Sequence, residues 1–248
     1  MITYYLLMKK YSVSLIFLLV AGISFGQTVD DVIGKYVDAM GGAEKLKSIN
    51  SVYMEGVSVM QNGNEVTSKT WKVKNQLMRR EVNFGMGSFT SVLTDKEGWI
   101  SNPRNGNKFE AMPKEMVDAQ QSELDVSGPL VDYKAKGHTA ELTGKEVVDG
   151  AECYAVKLTL KSGRDITYYI DTKTNYINSL KTKALNMRRQ NAGADQPTEL
   201  VIKYSDYRKT ADGFTFPFAT TTGGMGAATN FEKIEVNKPV DPKLYKPE

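Results

Sequence analysis

The stretch Ser51–Lys74, SVYMEGVSVMQNGNEVTSKTWKVK, decides the fold. Upstream of it, apolar residues recur three and four apart; from Ser51 onward the period is two. Alternation places successive side chains on opposite faces of a strand. Asn62-Gly63 sits between the two runs, and these residues tolerate the positive φ that a type I′ turn needs at both central positions. The stretch therefore reads as a β-hairpin, and its neighbours must supply the rest of a sheet.

Strand-like runs continue C-terminally at MRREVNF, SFTSVLT and WIS, separated by turns at Gly85-Met86-Gly87 and Asp95–Gly98. After Gly128-Pro129 they resume as AELTGKEVV, AECYAVKLTL, DITYYID, YINSLKTKAL, ELVIKYSDYR, FTFPFATTT and NFEKIEVN, with tight turns such as Asp149-Gly150, Ser162-Gly163 and Asp212-Gly213. About ten to eleven strands at this spacing predict a mainly β (α+β) chain built on one large curved antiparallel sheet or barrel. In ELVIKYSDYR, Leu200, Ile202, Tyr204 and Asp206 share one face, and Val201, Lys203, Ser205 and Tyr207 the other. In AECYAVKLTL, Tyr154, Val156, Leu158 and Leu160 oppose Cys153, Ala155, Lys157 and Thr159. One apolar and one mixed face suit a sheet covered on one side.

Two to three helices are available as that cover. Val29, Val32, Ile33, Tyr36, Val37 and Met40 lie on one helical face, with Thr28 and Asp31 spaced as a capping box and Gly41-Gly42 as a stop. Ala43–Lys47 adds a short turn. A further helix interrupts the strand series: Pro113 suits its first position, and Met112, Met116, Val117, Gln120 and Leu124 follow one face. Flexible methionines presented to a sheet that need not be filled predict a lid facing the concave side.

Residues 1–26 read as a cleaved signal peptide: Lys9-Lys10, an apolar run from Val13 to Ile23, then Ser24-Phe25-Gly26 before Gln27. Met8 is an alternative start. No cysteine lies at the cleavage site, so lipidation there is not expected. Residues 27–248 then form a single exported domain. Its net charge falls from +3 to +1 once Lys9 and Lys10 are removed, which argues against nucleic acid as a partner.

The chain is poor in chemistry. Cys153 is its one cysteine and sits in an alternating strand run, where a small buried hydrophobe is expected. His138 is its one histidine, too few for an ordinary zinc site and without a nucleophile elbow to serve. Asp30-Asp31 suits a helix start, and Asp118, Glu123 and Asp125 a solvated helix. The two GMG triplets, 85–87 and 224–226, lack a phosphate-loop context. Neither a catalytic residue, a metal ligand nor a cofactor is expected.

Six stretches carry a resemblance: MGGAEKLKSINSVYMEG (40–56), GPLVDYKAKGH (128–138), GKEVVDGAECYAVKL (144–158), YYIDTKTNYI (168–177), YSDYRKTADGFTFPF (204–218) and VNKPVDPKLYKP (236–247). Together they resemble the exported outer-membrane lipoprotein-sorting-like proteins of diderm bacteria, relatives of the LolA-type periplasmic carriers. That resemblance implies an unclosed antiparallel β-barrel whose helices lid a hydrophobic cavity for acyl chains. It implies a periplasmic, non-enzymatic carrier of a lipid or an acylated lipoprotein, monomeric, served by membrane-bound donor and acceptor proteins. No short motif defines the family, so the ligand-binding candidates come from the chain's own apolar inventory: Trp71, Met78, Phe84, Phe89, Trp99, Met112, Met116, Phe214 and Phe216. In DGFTFPFATTTGGMG (212–226), Phe214, Phe216 and Phe218 share a face, and Pro217, which has no N–H, marks an edge or bulged strand at the barrel mouth. The alternative is a non-catalytic envelope interaction module with a filled core.

Overall fold

The hairpin read from Ser51–Lys74 is present as β1 (Ser51–Val59) and β2 (Glu65–Val73), antiparallel from Ser51 opposite Val73 to Val59 opposite Glu65. The computed structural model describes residues 27–60, 63–85, 87–101, 103, 106–183, 199–223 and 228–247. The leader (1–26), Asn62, Met86 and the whole of the 224–226 triplet lie outside them. Gly63, at φ +81°, donates to the Met60 carbonyl, and Met60 donates to that of Asn64. The hairpin therefore reverses between Met60 and Asn64. The same bond pair closes the hairpins at Gly163 (φ +83°) and Gly213 (φ +79°). In each, a left-handed glycine after a turn supplies the extra residue of a bulged loop.

The strands continue as β3 (Leu77–Asn83), β4 (Ser88–Thr94), β5 (Gly98–Ser101) and β6 (Phe109–Ala111). After a helical segment come β7 (Thr139–Val148), β8 (Ala151–Thr159), β9 (Asp165–Asp171), β10 (Ile177–Lys183), β11 (Glu199–Lys209), β12 (Thr215–Thr222) and β13 (Ala228–Val236). All thirteen form one sheet in the order β6-β5-β4-β3-β2-β1-β13-β12-β11-β10-β9-β8-β7. The pairings are antiparallel and the sheet is not closed. The sequence count of ten to eleven falls short because a strand such as β6, three residues long, shows no alternation.

This order is two meanders joined at their inner strands, β1 with β13. Gly56 sits at that seam, beside an irregularity in register between Glu55 and Gly56. A Cβ there would lie 3.0 Å from the Asn230 carbonyl, Phe231 and Thr229, so glycine permits the close approach of the two meanders. The outer strands β6 and β7 stand at opposite edges. The chain from 112 to 138 must therefore cross the width of the sheet, and it does so on the concave side.

Three helices lie on that side. α1 (Val29–Ala39) opens with a complete capping box: Thr28 Oγ1 accepts from the Asp31 N–H at 3.2 Å, and Asp31 Oδ2 accepts from the Thr28 N–H at 3.0 Å. Val32, Ile33 and Val37 are buried against Val156, Leu158, Tyr168 and Ile170 of the sheet. α2 (Ala43–Lys47) follows Gly41 and Gly42, both at positive φ. α3 (Lys114–Gln120) and a 3-10 turn (Gln121–Leu124) belong to the crossing segment. Pro113 is the residue before α3 rather than its first.

The convex face of β1–β4 is covered by the C-terminal tail. The Arg79 guanidinium, buried there, donates to the carbonyls of Leu244 and Lys246, and its Nε donates to Glu81 at 2.7 Å.

Candidate functional site

The concave side of the sheet holds two apolar clusters rather than one continuous core. The smaller joins Leu93, Met112, Val117 and Leu124, with Met78, Ile100 and Met116 against it. Met112 packs tightly over Gly98, where an added Cβ would come within 2.7 Å of its sulfur. The larger cluster fills the space under α1 and α2.

Beside the larger cluster lies a half-open cavity of about 390 Å³, mostly apolar. One wall is the sheet. Leu160, Ile166, Ile177 and Leu180 come from β8–β10 and their ends, and Leu200 and Ile202 from β11. Val52 and Met54 of β1 close the other side. The cover is made by Tyr36 and Met40 of α1 and its end, by Leu46 and Ile49 around α2, and by residues of the crossing segment from Ser122 to Leu130.

Strand alternation explains most of this wall. Leu200, Ile202 and Tyr204 share a face and all line the cavity. Tyr207 lines it too, although alternation assigns it to the opposite face with Lys203. Asp206 adopts φ +56° in mid-strand, so the alternation does not carry through to Tyr207. Tyr207 then stacks on Tyr176 at 4.3 Å between centroids and donates to the Ile177 carbonyl at 2.8 Å.

Four tyrosines give the cavity a polar lining. Burial raises the phenol of Tyr36 to about 12 and lifts those of Tyr168, Tyr204 and Tyr207 further. At neutral pH they are hydroxyls that donate and accept. The charged lining residues are Lys72, Glu123, Asp125 and Arg164. Asp125 is committed to Lys136 at 2.6 Å and to Ser127.

The nine sequence candidates are scattered. Phe216 lines the cavity, and Phe214 is buried next to it with the Lys45 ammonium 5.0 Å from its ring centroid. Met78, Met112 and Met116 belong to the smaller cluster. Trp71 and Trp99 lie on the convex face: Trp71 pairs with Tyr53, its ring 5.2 Å away, and Trp99 opposes Val92. Phe84 is exposed after β3, and Phe89 opposes Val82 on β4. The residues missed are Tyr36, Tyr168, Tyr204, Tyr207 and the aliphatic faces of β9–β11. Alternation in DITYYID and ELVIKYSDYR carries that signal for Tyr168, Tyr204 and the aliphatic residues, and the helical face of α1 for Tyr36; no spacing rule carries it for Tyr207.

β12 is not an edge strand; it lies between β11 and β13. Its ladder to β13 covers Ala219–Thr221, however, so among the described residues Thr215, Phe216 and Pro217 pair on the β11 side only. Pro217 sits in that unpaired half, where its missing N–H leaves no gap in a ladder to β13. Thr215, Phe216 and Pro217 all reach the cavity at this split.

His138 Nδ1 accepts the Lys161 N–H at 3.1 Å. Cys153 is buried, which raises its thiol to about 11. Among the described residues there is no group of three His, Cys, Asp or Glu side chains that could hold a metal ion. No described helix is long and apolar enough to cross a membrane.

No family model matches the sequence, and no curated protein matches it. Solved structures do. A DUF1329-family protein of Desulfovibrio piger is similar at TM-score 0.54 and 14% identity, over 89% of this chain and 98% of that one. A LolA-superfamily protein of Nitrosomonas europaea is similar at TM-score 0.53 and 8% identity, over 89% and 98%. At such identities the likeness is one of architecture: an open, mainly antiparallel sheet with helices in its hollow, and on that ground the chain has a LolA-like fold.

Proposed function

We propose that this protein is a carrier that holds a lipid, or the acyl chains of a lipoprotein, in the cavity between its curved sheet and the crossing segment. It works in the periplasm as a monomer, after removal of the 1–26 leader, and serves outer-membrane lipoprotein sorting or envelope lipid handling. Membrane-bound proteins donate and accept the cargo. The observation that carries this reading is the mostly apolar, half-open cavity of about 390 Å³. That volume lies within the roughly 300–1,000 Å³ of ordinary ligand pockets. Each acyl CH₂ moved from water to such a wall gains about 0.8 kcal/mol, so one long chain supplies useful affinity without chemistry.

The fold family in whose likeness the chain is built supports the reading, and the membership of Phe216, Phe214 and the tyrosines in or beside one hollow gives it candidate residues. Native mass spectrometry of protein isolated from its own cell envelope tests it. The expected spectrum carries an added mass that dissociates as a lipid or an acylated peptide. Protein that is uniformly ligand-free, and that takes up no fluorescent fatty-acyl probe, argues for the filled interaction module instead.

A further inference from the structure

One end of the cavity carries an excess of positive charge. Glu123, on the 3-10 turn of the crossing segment, faces two cations from different arms of the sheet: Lys72 Nζ of β2 at 3.8 Å, and Arg164 Nη1 from the β8–β9 turn at 3.9 Å. Both distances are too long for hydrogen bonds. Arg164 Nε donates to Thr182 Oγ1 at 3.3 Å, and its terminal N–H groups have no closer partner than Glu123. Arg80 adds a third cation. Its register opposite Thr70 and Ser91 puts it on the face of β3 that carries Met78, and among the described residues its guanidinium has no ion pair or hydrogen bond. Arg80 is exposed and does not itself line the cavity, but it stands within the electrostatic reach of Glu123. Asp125 does not offset these charges, because Lys136 already neutralises it.

Hydroxyl donors complete the cluster. Tyr36, Tyr168 and Tyr204 line the same cavity, their hydroxyls without a hydrogen-bond partner among the described residues, and the field of Glu123 reaches Tyr168 and Tyr204. Lys72 and Arg164, with Arg80 beyond them and the phenols of Tyr168 and Tyr204, face one loosely held carboxylate, a donor set larger than its acceptor. A purely apolar occupant would leave those donors unmatched in a half-enclosed space, where unmatched polar groups are costly.

We propose that this end of the cavity is a headgroup subsite: the protein takes a single-chain anionic amphiphile, whose carboxylate or phosphate lies among Lys72, Arg80 and Arg164 and displaces Glu123, while its chain runs towards Phe216. This rests on the carrier reading and narrows it. The guanidinium fork suits carboxylate and phosphate oxygens alike. Displacement of Glu123 also has a mechanical consequence, because that residue is the ionic contact between the crossing segment and both arms of the sheet.

Fluorescence titration with a dansyl-labelled undecanoic acid and its methyl ester tests the subsite, because the two probes share a chain and differ in charge. At low salt the acid binds the wild type about tenfold or more tightly than the ester, and the preference shrinks at high salt. Arg80→Gln and Arg164→Gln reduce affinity for the acid and leave that for the ester. Glu123→Gln strengthens the acid and not the ester, because a competing internal carboxylate is gone. Inorganic phosphate in excess displaces the acid while binding far more weakly itself. Equal binding of acid and ester by the wild type overturns the headgroup subsite and leaves the carrier intact. Inorganic phosphate binding as tightly as the acid overturns the amphiphile in favour of a free anion. Failure of both probes to bind removes the carrier reading itself.

Discussion

At the scale of single residues, His138 shows how a lone titratable side chain can be structural. Its Nδ1 accepts a backbone N–H, which requires that nitrogen to be unprotonated. Burial, helped by Lys136 and opposed by Asp125, lowers its pKa from the ordinary 6.5. The folded state therefore favours neutral histidine, and the unfolded chain binds the proton first as pH falls. The associated stability is present above about pH 6.5 and is lost as pH falls through the folded pKa. Between pH 7 and about 5.5 the wild type should lose about 0.5 kcal/mol or less, given the ring's exposure, while His138→Asn shows no such slope. The carboxylates whose pKa is lowered, Asp30 and Asp171 among them, act below that window. Parallel urea-derived stability profiles for the two proteins would contradict this account.

At the scale of elements, α3 is a packed element with its own cluster. Met112 is buried over Gly98 and Leu93, whereas Met116 is half-buried at the margin. The cavity cover comes instead from the residues after α3, from Ser122 to Leu130. Met112→Ala should therefore cost about 2–5 kcal/mol, as truncation in a filled core does, and Met116→Ala less. Binding of the acyl probe to the folded fraction should change little. Differential scanning calorimetry with probe titration separates this from a lid: little loss of stability with lost probe retention would make α3 the gate.

At the scale of the whole molecule, two meanders meet at β1 and β13, and one segment spans from edge to edge across their hollow. Glu123 touches both arms through long ion pairs, so a ligand bound in the cavity would bear on the sheet and the crossing segment together. Ligand that binds the folded state and not the unfolded chain raises stability by mass action. A fatty-acyl probe at about a hundred times its Kd should add about 2.7 kcal/mol, visible as a higher Tm. A Tm independent of probe concentration, at concentrations where fluorescence reports binding, would place that binding on an outer surface rather than in the hollow.

The change of period at Ser51, the capping box at Thr28 and the glycines at 63, 163 and 213 were legible because each depends on residues within a few positions of one another. Alternation likewise assigned Leu200, Ile202 and Tyr204 to one face. What residue spacing could not convey was which face of each strand meets the hollow. Trp71 looks as good a cavity residue as Phe216 until the register of β2 against β1 turns it outward. Tyr207 joins the cavity through a positive φ at Asp206 that no alternation rule anticipates. The polar end is more distant still: Lys72, Glu123 and Arg164 stand far apart in the chain and lie on three separate elements. The sequence by itself determined the strands, the caps and the turn residues, since these are local balances of side-chain period and backbone sterics. The tertiary structure decided the strand order, the crossing of the hollow and the meeting of those charges, because they depend on pairing between distant segments.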